Sequence, residues 1–519
     1  MLNHRALKII PILLIFSILA NAQSGKDSVY FFSQNQNLID NILFSPTFSN
    51  ANPLKSYGFL QLDFKRENGG FRRAQEAYSI NMPKFLAKGF NILGKFRIAG
   101  SIEFNNSSED SLANGQKNNL EDFTTFYPYA NKSGLYKRQN YIAKTSLSYS
   151  TLNNHIVPFI NLDYQKHQSS GTVDPRLSSN RFILKVKPGV NLNLNRHSLG
   201  LYALVGKADE QVSLGYKNDV YKTSLLYPDR IHYMQYGYGS SVIKDTSNVY
   251  KYDDYKGFGI QYATKFKDWN IHFATEYQLL INKNYTQNKT APNFATVATF
   301  NLNTINGSLL LSKNNSINTD QQISLSFTYN EGYDGNLKTS GSLNRVNYRV
   351  NALNVSSGYR LLWDKNKNNA KELGLNLSYT QNDKLDLNQA AGLSYEQLKI
   401  DLSGTLYHLI DEQSKFKISL KPYFIAPINT TLKYNTNSIT EFIRNVAFTD
   451  YYYFNSSVLG GEFSTEYLTS KLIKNQQFGL YCQFDLRKML KQDMRNDLNP
   501  TFVPNGFRSV FHFGINMYL

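Results

Sequence analysis

Apolar and polar side chains alternate along almost the whole chain, and this pattern constrains the fold more than any other feature. At residues 96–104 every second position is apolar or glycine, and the positions between them are mostly polar or small. The same alternation returns at 182–192, 269–277 and 478–486. A period of two is typical of a β-strand, whose successive side chains point to opposite faces. The sequence therefore predicts an all-β fold.

The links between the alternating segments fall into two classes that interleave along the chain. A soluble sandwich does not require this, whereas an outer-membrane barrel joins its strands by short periplasmic turns and longer outside loops in turn. Short links are predicted near residues 86–90, 151–155, 194–197, 267–268, 314–319, 363–370, 410–414 and 469–475. Mostly longer links are predicted near 105–137, 168–179, 218–255, 283–293, 331–344, 427–455 and 488–505.

The strand count follows from this alternation of links. We predict a transmembrane antiparallel up-and-down β-barrel over residues 56–519, with about 18 strands in a range of roughly 14 to 20. An even number places both termini on the periplasmic side. Residues 294–313 are taken as one strand, and a hairpin around Asn306-Gly307 is the alternative.

Composition supports a membrane barrel. Only 18% of the 519 residues are charged, and the chain holds 37 Tyr and 34 Phe, which fits aromatic girdles at the two membrane interfaces. A large soluble β core or ligand surface is the alternative reading of these aromatics. A mean hydropathy of −0.43 excludes a polytopic helical membrane protein, and a single Cys excludes a disulfide framework.

The N-terminal residues predict export. Residues 1–22 combine the basic Arg5 and Lys8, an apolar run and the sequence Ala-Asn-Ala at 20–22, which is the layout of a cleavable signal peptide. An N-terminal anchor helix is the alternative. Residues 23–55 are predicted to form a periplasmic or plug segment that contains the weakly apolar stretch 38–43. The predicted location is the outer membrane of a Gram-negative cell.

The last strand carries the most specific local pattern. Its alternation runs to the final residue, and His512, Gly514, Met517 and Leu519 resemble the C-terminal signature of outer-membrane barrels, a polar residue and a glycine followed by alternating hydrophobic residues. The chain departs from that signature by ending on Leu519 instead of an aromatic residue. The resemblance implies recognition by the barrel-assembly machinery.

Motifs that carry chemistry are missing from the sequence. Nucleotide-binding loops, zinc-protease helices and the nucleophile elbow of α/β-hydrolases do not occur. Neither a catalytic residue, a cofactor site nor a metal site is therefore predicted, and the chain is not expected to be an enzyme. His272 and Glu276 share a strand face, and we interpret them as polar residues of the barrel lumen. Basic residues are dispersed along the strands, so nucleic acid is not an expected partner.

The net charge of +17 suggests a role for the basic residues. Charged rings in a pore select ions of the opposite sign, so an anion-preferring channel is one hypothesis. The alternative places these side chains at strand ends, against lipid headgroups and lipopolysaccharide phosphates, or in pairs with acidic neighbours. The basic residues predicted to line the lumen are Lys95, Arg97, Lys185, Lys187, Arg345, Arg349, Lys417 and Lys421.

Three tyrosine-rich loops are candidate recognition surfaces, because exposed aromatic rings stack on sugars or contact a protein partner. Extension of the girdle, or packing of the loops over the barrel mouth, is the alternative. The residues concerned are Tyr127, Tyr129, Tyr233, Tyr236, Tyr238, Tyr451, Tyr452 and Tyr453.

The whole chain resembles the large, porin-like outer-membrane barrels of about 500 residues that carry only unknown-function labels, and the stretch from Glu121 to Tyr129 is similar to one in that group. The barrel prediction and the resemblance leave two functional hypotheses. The first is a channel or transporter for small hydrophilic solutes, including anions. The second is a binding or assembly scaffold whose aromatic loops engage a secretion or nutrient-uptake partner.

Overall fold

In a computed structural model of the protein, the described residues are 31–50, 56–115, 117–151, 154–222, 226–243, 248–288, 291–314, 318–336, 346–472 and 476–519. The predicted signal peptide lies outside them. Two helices, α1 (Ser33–Leu43) and α2 (Pro46–Asn50), precede the first strand, and α3 (Phe448–Phe454) follows a π-helical turn at Ile443–Ala447. Among the described residues, no helix is long and apolar enough to cross a membrane.

Strands make up most of the molecule. In chain order they are β1 (Ser56–Gly69), β2 (Ser79–Leu93), β3 (Phe96–Leu112), β4 (Tyr127–Ala130), β5 (Gly134–Tyr149), β6 (Ile156–Gly171), β7 (Arg176–Leu194), β8 (His197–Gly215), β9 (His232–Gln235), β10 (Ser241–Ile243), β11 (Asn248–Phe266), β12 (Trp269–Asn288), β13 (Ala291–Asn314), β14 (Thr319–Asn336), β15 (Tyr348–Trp363), β16 (Asn369–Asp386), β17 (Ala391–Asp411), β18 (Ser414–Lys433), β19 (Ser456–Thr469), β20 (Gln477–Gln492) and β21 (Phe507–Tyr518). Strands β4, β9 and β10 form a small separate sheet.

The other strands form one closed antiparallel barrel. Within the described residues this sheet has 18 strands, each paired with its neighbours along the chain. Strand β1 also pairs with the last strand, β21, from Phe59 opposite Tyr518 to Gly69 opposite Arg508. This closure leaves no free edge, which is what a sheet in lipid requires. The predicted up-and-down barrel is confirmed.

Two local predictions about turns had different outcomes. Residues 294–313 belong to one strand, β13, and Gly307 serves packing, because a Cβ there would lie 2.1 Å from the Phe327 ring. The short link predicted at 86–90 is wrong, since β2 continues to Leu93 and turns at 94–95. Gly89 lies within this strand, and its lack of a side chain lets β1 approach, because a Cβ there would lie 2.4 Å from the Tyr57 carbonyl oxygen.

The outer surface of the barrel carries an apolar belt. On β16 the exposed, outward side chains are Leu373, Leu375 and Leu377, and on β21 they include Phe511 and Phe513. Comparable residues occur on the neighbouring strands, toward the end of the barrel where the short turns lie. An apolar exterior on a closed antiparallel barrel is the architecture of an outer-membrane protein.

Candidate functional site

The N-terminal helices lie inside the barrel, at the end with the short turns. On one side the Ser33 backbone N–H donates to the Tyr407 hydroxyl of β17 at 2.9 Å. On another side Asp40 accepts a 2.5 Å hydrogen bond from Lys88 of β2. Because β17 and β2 lie far apart around the sheet, residues 31–50 extend across the lumen. We call this segment the floor.

Arg97 fixes the end of helix α1. Its guanidinium donates to the carbonyl oxygens of Ile42 and Leu43, at 3.2 Å each, and lies over the Phe90 ring. The last carbonyls of a helix lack partners within the helix and carry partial negative charge, so a buried cation there satisfies them. Arg97 therefore lies on the inner side of the barrel wall, and this side chain holds the floor.

Four loops cover the opposite end of the barrel and form a roof, which consists of the described residues within 113–133, 216–247, 434–455 and 493–506. Strand β9 pairs with both β4 and β10, which joins the first two loops. The Phe442 ring packs edge-on against Tyr129 and Tyr238 and so joins the third loop to them. The Thr449 hydroxyl donates to the Phe502 carbonyl oxygen at 2.7 Å and adds the fourth.

A buried charge cluster attaches the roof to the barrel wall. Arg181 of β7 donates to Asp122 in the roof and to Asp253 of β11, at 3.0 Å each. Lys251 of β11 donates to the Thr125 carbonyl oxygen at 2.8 Å. Such charge-assisted hydrogen bonds are among the strongest in proteins, so the loop that contains Asp122 is firmly held.

Burial and nearby opposite charges shift the pKa values of the ionisable groups in this roof loop. Burial alone would raise the pKa of Asp122, but the positive charges of Arg181 and Lys117 outweigh it and hold that pKa well below its ordinary value. Burial lowers the pKa of Lys117 to about 7, although Asp122 opposes the shift. The Lys117 ammonium group donates to the Asp122 carbonyl oxygen at 2.9 Å.

Between floor and roof lies a cavity of about 820 Å³, which we call the chamber. One side of it is a wall of uncharged polar side chains on β14–β17, the amide wall, made of Thr328, Asn330, Asn354, Thr380, Asn382 and Gln397. Thr328, Asn354, Thr380 and Gln397 stand directly opposite one another on the four strands, as a single cross-strand row. Asn330 and Asn382 belong to the next row, with Ala352 between them.

The opposite side of the chamber holds a second polar row. Asn105, Asn140 and His167 are direct cross-strand neighbours on β3, β5 and β6. Asn140 donates to Asn105 Oδ1 at 2.8 Å, and its own Oδ1 lies 2.7 Å from His167 Nδ1. The roof contributes Phe123 and Phe454. In the described chain, no group of three or more His, Cys, Asp or Glu side chains is placed to hold a metal ion.

Several basic residues predicted to line the lumen do face the interior, but they have partners. Lys185 donates to Gln278 Oε1 at 2.7 Å. Lys187 pairs with Glu276 at 2.8 Å and lies 3.5 Å from Asp163.

The remaining basic candidates are scattered. Lys417 lies inside the barrel near the floor, and Lys421 is on the same strand face. Lys95 is exposed in the turn between β2 and β3, and Arg349 is exposed on the outer face of β15, between buried Tyr348 and Val350, so these two do not line the lumen. Arg345 lies outside the described residues.

The eight candidate recognition tyrosines are packed within the roof. Tyr233 and Tyr453 are partly buried and the other six are buried: Tyr127, Tyr129, Tyr236, Tyr238, Tyr451 and Tyr452. The Tyr127 hydroxyl donates to Glu210 of β8, and Tyr129 stacks on Tyr233. Packing over the barrel mouth was the alternative interpretation of these residues, and it describes their positions.

The C-terminal residues close the barrel seam. His512 Nδ1 lies 3.1 Å from Asp63 of β1, and Leu519 exchanges two backbone hydrogen bonds with Gly58. A Cβ at Gly514 would lie 2.3 Å from the Leu62 carbonyl oxygen, so only glycine fits there. Met517 is partly buried on the outward face of β21.

A model of one protein family matches residues 46–519, which is nearly the whole chain. The chain belongs to this family of unknown function, DUF6850. The match agrees with the resemblance to barrels that carry only unknown-function labels. No curated protein matches this DUF6850 chain.

Solved structures show only distant likeness to this DUF6850 barrel. The siderophore receptor PiuA from Acinetobacter baumannii is 9% identical, with 88% of this chain and 81% of that chain covered and a TM-score of 0.37. The FrpB iron transporter from Neisseria meningitidis is 8% identical, with 93% and 83% covered and a TM-score of 0.40. A Pseudomonas aeruginosa FadL homologue is 10% identical, with 91% and 92% covered and a TM-score of 0.32. Scores this low carry no argument about function.

Proposed function

We propose that the protein is a gated outer-membrane transporter for small hydrophilic solutes. The observation that supports this most is the polar chamber between floor and roof, because a barrel with a purely structural role needs no such cavity. In this proposal residues 1–22 are a cleaved signal peptide, and the barrel-assembly machinery recognises His512, Gly514, Met517 and Leu519. Residues 23–55 act as a plug, and lipid and lipopolysaccharide surround the apolar belt.

The charges in the lumen favour neutral solutes over anions. An anion-selective pore needs cations that are free to meet the solute. Here Lys187 is paired with Glu276, Arg181 with Asp122, and Arg97 with the end of helix α1. The anion preference suggested by the net charge is therefore the weaker form of the proposal.

The test is conductance of the purified mature protein in planar bilayers, compared with a variant that lacks residues 31–50. We expect a low conductance with all residues present and larger, stepwise openings after the deletion, with reversal potentials that show little ion preference. Gel mobility before and after boiling verifies that the variant still forms a barrel. A folded deletion variant that stays silent would contradict the proposal.

A scaffold that binds a protein partner is the second candidate, and the exposed Val220 and Tyr227 in loop 216–247 favour it. Its test is cross-linking in cells that produce the full chain or a chain with that loop shortened. A partner captured only by the full chain would support the scaffold, and equal capture by both would count against it.

A further inference from the structure

We infer that the chamber binds a neutral carbohydrate of one or two sugar rings, an inference that rests on the transport function proposed above. The chamber volume of about 820 Å³ falls within the roughly 300–1,000 Å³ typical of small-molecule sites. The chemistry of its walls narrows the ligand class further.

The amide wall presents many groups that both donate and accept hydrogen bonds. Asn and Gln offer an acceptor oxygen beside two N–H donors, and the Thr hydroxyl does both. Adjacent strands bring these groups about 4.8 Å apart, as a lattice over β14–β17. A sugar ring carries hydroxyls around its rim that likewise donate and accept, so one ring can bond to several wall residues at once.

Two residues that line the chamber each have a buried acceptor atom that lacks a partner within the described part of the chain. Asn382 Oδ1, on a side chain that is only 3% exposed, has no hydrogen bond. His167 Nε2, on a residue that is 4% exposed, also has none. Since His167 Nδ1 donates to Asn140, Nε2 of the neutral ring is an acceptor. A buried polar atom left unpaired costs free energy, so both sites favour a ligand that brings donors.

These two unpaired acceptors favour some classes of ligand over others, because only a ligand with hydrogen-bond donors can pair with them. Carboxylates and phosphates bring acceptors, which would face Asn382 Oδ1 and His167 Nε2 unfavourably. Cationic ligands would meet the ammonium group of Lys185, which lines the same chamber and whose hydrogen-bond partner, Gln278, is uncharged. A neutral hydroxyl-rich ligand avoids both conflicts. The Phe123 ring in the roof offers an apolar surface for the C–H face of a sugar.

The test is titration calorimetry on the full mature protein in detergent, with maltose, glucose 6-phosphate and diglycine as separate probes. We expect maltose to bind and the other two to bind at least tenfold more weakly. Asn382→Ala and Asn354→Ala should each raise the maltose Kd about fivefold, the usual effect of one lost neutral hydrogen bond. Asn351→Ala is the matched control, because Asn351 is an exposed residue on the outer face of the same strand as Asn354.

The outcomes separate this inference from the transport proposal. If maltose does not bind, if glucose 6-phosphate or diglycine binds more tightly, or if Asn382→Ala and Asn354→Ala bind as well as Asn351→Ala, the inference is overturned. Conductance without maltose binding would leave transport standing and remove the sugar. Maltose binding to a barrel that never conducts would keep the sugar site and remove transport. Gel mobility before and after boiling shows which variants are folded.

Discussion

Replacing Arg181 by Met tests how the roof is held. The guanidinium donates to Asp122 of loop 113–133 and to Asp253 of the wall, at 3.0 Å each, and all three side chains are at least four-fifths buried. Met keeps much of the side-chain volume but removes the charge. Two buried carboxylates then lose their shared partner.

The size of the effect follows from this burial. Removing one member of a buried ion pair costs about 3–5 kcal/mol, because the remaining charge is left uncompensated. Lys117 and Lys251 remain close to Asp122 and offset part of this cost, so we expect about 3 kcal/mol. Every 1.4 kcal/mol or so is a tenfold change in an equilibrium constant, and the open population of the loop should therefore rise by about two orders of magnitude.

Native-state proteolysis measures that opening directly, because cleavage of a briefly opened segment follows its open population when reclosing is fast. Chymotrypsin digestion of the folded protein, read by mass spectrometry, should cut loop 113–133 about a hundredfold faster in Arg181→Met. In a double-mutant cycle with Asp122→Asn, the two changes should couple by about 1.5–3 kcal/mol. Arg66→Met, at an exposed position, is the control. Equal cleavage rates for Arg181→Met and the control would refute this account.

Three further predictions concern pH, the seam and the floor. Burial raises the pKa of Asp450 to about 6 from 3.8, so the folded state keeps the carboxyl proton at a pH where the unfolded chain has released it. The free energy of unfolding of the unchanged protein therefore falls as pH rises through this range up to 6. In urea titrations, the stability of Asp450→Asn relative to the unchanged protein should be about 3 kcal/mol higher at pH 7.5 than at pH 3.5. Gly514→Ala should abolish the heat-dependent gel shift, whereas Gly404→Ala, whose new Cβ meets nothing closer than 3.8 Å, should keep it. Arg97→Met should raise single-channel conductance if the floor blocks the lumen, and unchanged conductance would contradict that role.

The barrel itself was predictable because its signal is local. Alternation at each strand shows which side chains face lipid, and the apolar pattern that ends in Leu519 identified the closing strand. Strand ends were less predictable, because a glycine such as Gly89 occurs both in turns and at strand positions where a neighbouring backbone comes close. Its role depends on the Tyr57 carbonyl of another strand, which no local pattern reveals.

The chamber was not predictable from the sequence. Asn354 and Thr380 become neighbours only through the register of β15 and β16, and the pairing of Asp122 with Arg181 depends on how a long loop folds back. A weak signal was present in the Asn, Gln and Thr residues at alternate positions of β14 and β16. Without the register, these residues look like any polar lumen face.

The position of the apolar belt indicates at which level of the barrel a bound solute would lie. Among the described residues of β14, the last exposed aliphatic or phenylalanine side chain is Phe327, one position before Thr328, and Tyr333 is exposed further along the strand. On β16 the exposed apolar residues end at Leu377, three positions before Thr380. The amide wall therefore lies near the upper limit of the aliphatic part of the belt, on the side of the longer loops. A molecule bound at the amide wall would lie above most of this aliphatic belt. In the proposed transporter, passage of that molecule to the periplasm would require displacement of residues 31–50, and the roof would control admission from the cell exterior.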